Sequence, residues 1–395
     1  MLGTLPRLRL AHLFMGMMFW YGIEQLFLNH YLHNPSARAY LTIVYAASVL
    51  VLDIPGGVLA DKIGRRRTVL LACVIEVLAV IVLGMSRDMW QYLIGSVLFG
   101  LFISMINGAA EALLYDHLKA EGLTKRYAKE QGLVNAYFLI GAAIANLASG
   151  FMAEAWGLRA AYFVSTLPGI AAFILIWGVA EPPFEQSGGR WHQYVRQAGR
   201  YITQRPRLLL YGLQFVLTEV AILTIGEFGQ IYLLHFGLTP IQLGLLWSAV
   251  AVAAAVGRFV AHHGQSRPQL VMLGYCGAIV AFIFTHSAWG ILLYLLVYGY
   301  TEAASNVAET EVQDASESNV RATLFSCVSF GGNLVAIPAV YLFNRVYLTH
   351  SIFLANEIIG VIVCVLLLLT ITANRRTIRS AIVHVTLPKH LDRQY

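Results

Sequence analysis

Long apolar stretches recur along this 395-residue chain, separated by short polar connections. They fall at roughly 10–32, 39–60, 68–86, 90–115, 132–154, 159–180, 208–235, 240–262, 269–287, 289–312, 323–345 and 350–373. A helix crosses the hydrocarbon core of a bilayer with about 20 mostly apolar residues. Backbone exposed to lipid must satisfy its own hydrogen bonds, which leaves helices or closed barrels. Unalternating runs of this length read as helices, so the expected fold class is an all-α membrane protein with 12 transmembrane helices. Charged residues make up 12% of the chain, about half the 25% usual in soluble proteins. That share cannot keep the surface of a soluble chain wet. It excludes a cytosolic enzyme, a disordered chain and a secreted disulfide scaffold.

Alternate connections hold most of the Lys and Arg. One side collects Arg7 and Arg9, the cluster from Lys62 to Arg67, Lys119 to Lys129, Arg190 to Arg207, Arg258 and Arg267, Arg321, and the C-terminal segment: twenty-three in all. The other side has four, Arg38, Arg87, Arg159 and Arg345. The basic side is the cytoplasmic one, so both termini are expected there. The net charge of +6 is dispersed between apolar runs, which argues against nucleic-acid binding. Residues 1–180 form a first six-helix bundle and 208–373 a second, with a linker at 181–207 and a cytoplasmic tail at 374–395. Within the linker, the stretch from Trp191 reads either as a basic amphipathic helix on the membrane surface or as a solvated linker.

All four cysteines lie inside apolar runs, with no metal-ligand spacing. No nucleotide loop, GxGxxG, HExxH or GxSxG is present, and no cleavable signal peptide is evident. No metal, cofactor or enzymatic chemistry is expected.

The second run ends in GVLADKIGRRR (Gly57 to Arg67) and the eighth in GRFVAHHGQSR (Gly257 to Arg267). Both contain G-x6-G-x2-R at the same place in their half, the mark of a duplicated unit. Gly57, Ala60, Asp61, Gly64, Arg65, Arg66 and Arg67 resemble the loop signature between helices 2 and 3 of the major facilitator superfamily of secondary transporters. "GLR" at Gly157 and "RAT" at Arg321 are similar to the family as well. DIPGG at Asp53 and EALLYD from Glu111 look like a drug-efflux-like branch. Helix 4 lacks the Arg that many proton antiporters of the family carry. Helix 5 lacks their Gly-Pro signature and has only small residues, Gly141, Ala145, Ser149 and Gly150, at close-packing spacing. The resemblance implies two pseudo-symmetric six-helix halves around a central cavity lined by helices 1, 4, 7 and 10.

The loop signature also makes sense as a gate. Gly57 and Gly64 bracket a helix end, Asp61 sits on it, and Arg65 follows one turn later. Asp116, at the same end of helix 4, is the expected partner of Arg65, with Arg66 beside it. The resemblance implies that Asp61 faces the N-terminus of helix 11, whose dipole favours an anion.

A charged residue at the centre of a membrane helix costs about 2.5–3.5 kcal/mol, yet helices 1, 4, 7 and 10 carry Glu24, Glu111, Glu219 with Glu227, and Glu302 with Glu309. Ser104, Asn107, Glu111 and Tyr115 form one helical stripe, as do Glu302, Ser305 or Asn306, Glu309 and Gln313. Trp20, Tyr21, Glu24 and Tyr31 make an aromatic face. Glu219 and Glu227 lie about 80° apart on an ideal helix. Glu76 and Glu357, on helices 3 and 12, read as structural.

Burial disfavours the charged form of a carboxyl group, so a carboxyl in this setting exchanges a proton, and a cationic substrate competes for the same site. The bland alternative is that these groups lock helix packing. The sites expected for substrate or proton are therefore Glu24, Glu302, Glu111, Glu219, Glu227, Asn107, Asn306, Trp20 and Tyr21. The expected function is proton-coupled export, by alternating access, of lipophilic or cationic compounds across the bacterial inner membrane by a monomer driven by the proton gradient. The alternatives are proton-coupled transport of one metabolite, such as a siderophore or nutrient, and a transport-dead partner or sensor.

Overall fold

The structure, a computed structural model, describes residues 3–181, 204–314 and 321–386, with the backbone alone at some helical positions. Among the described residues every regular element is helical. The first part of the chain runs through α1 (Thr4–Gly16), α2 (Glu24–Phe27), α3 (Ala37–Ile63), α4 (Arg65–Met85), α5 (Met89–Ala120), α6 (Tyr127–Trp156), α7 (Leu158–Val164) and α8 (Thr166–Trp177). The second part comprises α9 (Pro206–Ala221), α10 (Gly229–Leu234), α11 (Pro240–Gly264), α12 (Pro268–Ile283), α13 (Trp289–Asp314), α14 (Arg321–Thr349) and α15 (Ile352–Thr386). Every apolar run of the sequence falls on one helix or on successive helical pieces. By length and composition, seven described segments suffice to cross a membrane, and Ala37–Leu52 and Pro268–Ile283 are shorter apolar helices. Helix α15 continues through the first part of the segment read as a tail.

Helix ends follow local chemistry. Pro206, Pro240 and Pro268 each open a helix, where a missing N–H costs nothing. Thr239 and Gln242 form a capping box on α11, and Asp88 caps α5 by accepting from the Gln91 N–H at 3.0 Å. Between α3 and α4 the chain turns at Gly64, whose φ of +103° suits glycine. A Cβ there would meet the Glu181 carboxylate at 2.9 Å. That carboxylate accepts from the Arg66 N–H at 3.0 Å, placing an anion at the positive end of α4. Glu181, read from sequence as the start of a linker, is thus a cap. The linker residues 182–203, with their expected amphipathic helix, lie outside the described residues.

Three apolar runs are discontinuous, which hydropathy did not anticipate. The first passes from α1 through a bend and a 3₁₀ turn (Tyr21–Ile23) into α2 and then a π turn (Leu28–Leu32). The seventh inserts a π turn, Ile222–Gly226, between α9 and α10. The sixth breaks between α7 and α8, just ahead of Pro168, which cannot donate to the preceding turn.

Buried clusters follow the division of the chain. Three of them draw only on the first part of the chain, from Leu8 to Val179. The largest draws on α9 to α15, with Ala39 and Ala46 of α3 joining from the first part. Lipid offers helices no hydrophobic drive to associate, so close backbone packing matters. The small-residue stripe of α6 supplies it on two faces. A Cβ on Gly141 would lie 2.0 Å from the Leu13 carbonyl of α1, and one on Gly150 would lie 2.2 Å from the Pro240 carbonyl at the start of α11. Large apolar side chains such as Ile174, Val256 and Leu369 face outward, an apolar surface suited to lipid tails. Trp90, Trp156 and Trp289 are exposed at one end of the bundle, as in the aromatic belts of membrane proteins. The opposite end carries Lys62 to Arg67 and Lys119 to Lys129 and is called the basic end below.

Candidate functional site

A cavity of about 310 Å³ opens between the two parts of the chain. The first part contributes Trp20, Tyr21, Glu24, Arg38, Ser96, Phe99, Ile103 and Asn146, and the second Glu227, Trp247, Tyr298 and Glu302. Three of the carboxylates singled out from sequence therefore line one space.

Glu24 opens α2 and is almost fully buried. Its Oε2 accepts from Arg38 Nη1 at 2.5 Å, and its Oε1 accepts from the Tyr92 hydroxyl at 2.9 Å. Tyr92 has spent its proton on Glu24, so Tyr162 donates to Tyr92 at 2.8 Å. Arg38 Nε donates to the Gln25 side chain at 3.1 Å. The same Arg38 Nη1 lies 3.5 Å from Glu227 Oε2 in the second part, and Tyr21 donates to Glu227 Oε1 at 3.1 Å. One guanidinium is thus shared by carboxylates from both parts of the protein. Charge-assisted contacts of this kind are the strong ones.

The broken helices make a second cross-connection. The Gln25 N–H stands in the first turn of α2, where no intrahelical acceptor exists. The buried Gln230 side chain of α10 accepts from it at 2.9 Å and donates to the Tyr21 carbonyl at 2.6 Å. The break in one part is satisfied by a side chain of the other. Further bridges join Asn344 to Ser36 (3.3 Å) and Ser248 to the Ala143 carbonyl (2.9 Å). Ser36 and Asn344 lie toward the end away from the basic one.

Glu302 on α13 lines the cavity and accepts from Arg258 Nε of α11 at 2.7 Å. Glu219 stands close to this pair and hydrogen bonds with Ser305. The π turn carries Glu227 away to Arg38 and Tyr21, so the 80° ideal-helix relation to Glu219 does not hold. Trp20 is buried in the wall, stacked on Tyr162 with ring centres 5.5 Å apart. Tyr31, placed on the same aromatic face from sequence, instead packs on Phe27 beneath the Arg159 guanidinium.

Glu111 does not reach the cavity. It is exposed toward the basic end, accepting from Gln131 at 3.0 Å. The wall from α5 is Ser96, Phe99 and Ile103, and eight residues of helix separate Ile103 from Glu111, about 12 Å at 1.5 Å per residue. The stripe read from sequence has the right period but lies too far along the helix. Ser104 is buried, and Tyr115 packs edge-on against Tyr127. Asn306 is half-buried and lies outside the cavity lining. The side chains of Asp61 and Asn107, together with Gly57, lie outside the described residues.

At the basic end, Arg65 Nε is 2.6 Å from Asp116 Oδ2, the pairing expected from sequence. Arg66 turns instead to the Ile176 and Trp177 carbonyls that end α8 and lies over the Trp177 ring. It therefore ties the loop to α8. Glu130, fully buried on α6, pairs with Arg9 and Arg126.

Sequence reasoning missed Arg38 and Arg258. Both were counted as loop charges, and both are helical partners of carboxylates that line the cavity. Removing one from each side of the loop tally leaves its asymmetry unchanged. The signal was available for Arg38: it stands alone at the head of an apolar run, whereas topology-setting cations cluster. Gln230, Tyr92 and Tyr162 gave no such signal.

Residues 8–337 match the family profile of the Major Facilitator Superfamily. Multidrug resistance protein 2 of Bacillus subtilis is 24% identical over 278 residues, 66% of this chain and 67% of that protein. Multidrug resistance protein MdtG of Yersinia enterocolitica is 26% identical, with the match spanning 63% of this chain and 61% of the relative. MdtG of Klebsiella pneumoniae is 23% identical over 84% of this chain and 87% of its own length. Among solved structures, the nucleoside transporter NupG superposes with a TM-score of 0.76 at 12% identity, covering 95% of this chain and 99% of that one. A bacterial homologue of the human lysosomal transporter Spinster, in an inward-facing and occupied conformation, gives 0.73 at 16% identity over 95% and 96% of the two chains.

Proposed function

The chain belongs to the Major Facilitator Superfamily as a membrane transporter and not an enzyme, and on that footing we propose that it exports a lipophilic or cationic compound in exchange for protons. The observation that carries this reading is the cavity between the two parts of the chain, with Glu24, Glu227 and Glu302 in its wall beside Trp20, Tyr21 and Trp247. Aromatic faces attract cations, and three carboxylates against the shared Arg38 and the Arg258 partner leave negative charge for a proton or a cation to offset. Either ligand then shifts one two-state equilibrium, which suffices for coupling. The relatives named for multidrug resistance support the substrate class.

Twelve helices in two six-helix halves rock about this cavity, with the basic end and both termini in the cytoplasm of a bacterium and the protein in the inner membrane as a monomer. Among the described residues, the bridges between halves lie around the cavity and toward the end away from the basic one, which supports an inward-facing cavity. Arg65, Asp116 and Asp61 form the gate that closes the inner side in the other state.

The test is proton release in energised inverted vesicles reported by a pH-sensitive dye on addition of a lipophilic cation such as tetraphenylphosphonium. A substrate-dependent signal lost in Glu24→Gln or Glu302→Gln supports exchange at these groups. Unchanged signals in both variants remove them from the mechanism.

A further inference from the structure

The cavity has three carboxylates, and their surroundings are not equivalent. Glu24 receives a guanidinium and a tyrosine hydroxyl from its own half. Glu302 likewise receives Arg258 from its own half. Glu227 alone reaches across: its contacts are Tyr21 at 3.1 Å and Arg38 at 3.5 Å, both on the opposite half. Glu24, Tyr294 and Tyr298 also face it, and Tyr294 is committed to the Gly226 carbonyl at 3.1 Å.

We propose that Arg38 is the coupling residue, holding Glu24 permanently and Glu227 only while Glu227 is charged, so that the outer face opens only when a proton or a cationic substrate has neutralised Glu227. This rests on the transport reading above and deepens it. A charged Glu227 draws its half toward Arg38 and Tyr21 and keeps the outer side shut. A protonated Glu227 no longer attracts the guanidinium, which stays with its shorter contact to Glu24. A cation seated against Glu227 has the same effect. The empty, deprotonated carrier is the one state in which the latch holds, so an inward-facing carrier does not open outward unloaded. Glu227, whose contacts cross between the halves, is then the carboxylate whose neutralisation releases the outer face. Gln230 and the Asn344–Ser36 contact lie on the same closing surface but carry no titratable group. They add affinity between the halves without responding to protons.

The latch is read without substrate. In a chain with its four native cysteines replaced, Ser36→Cys and Asn344→Cys report outer closure by cross-linking with a short thiol-reactive bridge. Cross-linking of the reconstituted protein should be fast at alkaline pH and slow at acidic pH. Glu227→Gln should be slow at every pH, by about tenfold, the effect of one charge-assisted hydrogen bond. Glu24→Gln and Glu302→Gln should keep the pH response. A wild-type rate independent of pH, or a Glu227→Gln protein that cross-links like the wild type, overturns the proposal. So does loss of the pH response in Glu302→Gln with its retention in Glu227→Gln. Should cross-linking behave as expected while no substrate-dependent proton signal is seen, the latch stands and the proton-exchange reading fails. The converse pattern leaves exchange in place and removes the latch.

Discussion

Replacing Arg38 by Gln tests whether the guanidinium is what makes two buried carboxylates tolerable. Its Nη1 lies 2.5 Å from Glu24 and 3.5 Å from Glu227. At an effective dielectric of about 20, those separations correspond to attractions of about 7 and about 5 kcal/mol. Desolvation of the three charges offsets most of this, so the intact cluster adds little net stability. Removing the cation alone is different, because the carboxylates stay buried without it, at a cost of about 3–5 kcal/mol. Suppose the 395 residues unfold as one unit with about 2.1 cal/mol/K of entropy per residue; the midpoint then falls by about 4–6 °C. The neutral pair Arg38→Gln with Glu24→Gln keeps the shapes and removes both charges, and should recover more than half of that loss. The assay is thermal unfolding of the detergent-solubilised protein followed by tryptophan fluorescence. A single variant melting within about 1 °C of wild type, or a double variant no more stable than the single one, would refute the argument.

Three further outcomes follow from the same geometry. Gly150→Val should push α6 off α11, costing about 1–3 kcal/mol and lowering cross-linking between Ser36→Cys and Asn344→Cys; Gly132→Ala, with nothing within 4 Å of the new Cβ, is the control and should melt at or above the wild-type temperature. Asp116→Asn removes the Asp116 charge beside Arg65 and, like Asp61→Asn, should slow turnover while leaving substrate affinity largely intact; wild-type initial rates in both variants would remove the inner gate. Glu76 Oε2 is buried with no hydrogen-bond partner among the described residues, so Glu76→Gln should leave the unfolding midpoint unchanged or raise it, and a clear fall would contradict a neutral packing role.

Hydropathy placed the helices because lipid makes a local demand: each spanning segment must be apolar along its own length. The Gly64 turn, the Arg65–Asp116 pair and the presence of Glu24, Glu227 and Glu302 in a shared wall were legible for related reasons. A turn glycine, two charges at neighbouring helix ends and a costly intramembrane carboxylate each announce themselves in a short window. Glu111 shows the limit of that window, since periodicity fixes the face of a helix and not how far along it the cavity extends.

By itself, then, the amino-acid order determined the helical class, the alternation of basic and non-basic ends, the duplicated loop motif and the set of acids that needed an explanation. Only the tertiary structure decided their partners. Tyr21 and Glu227 stand 206 residues apart, and no local pattern says that Arg38 lies between acids of two halves or that Arg258 has left its loop for Glu302. The interruptions of the first and seventh helices belong to the same class. A backbone break in lipid is stable only when some other segment satisfies its exposed groups, and here that is Gln230, a side chain with nothing in its own neighbourhood to mark it.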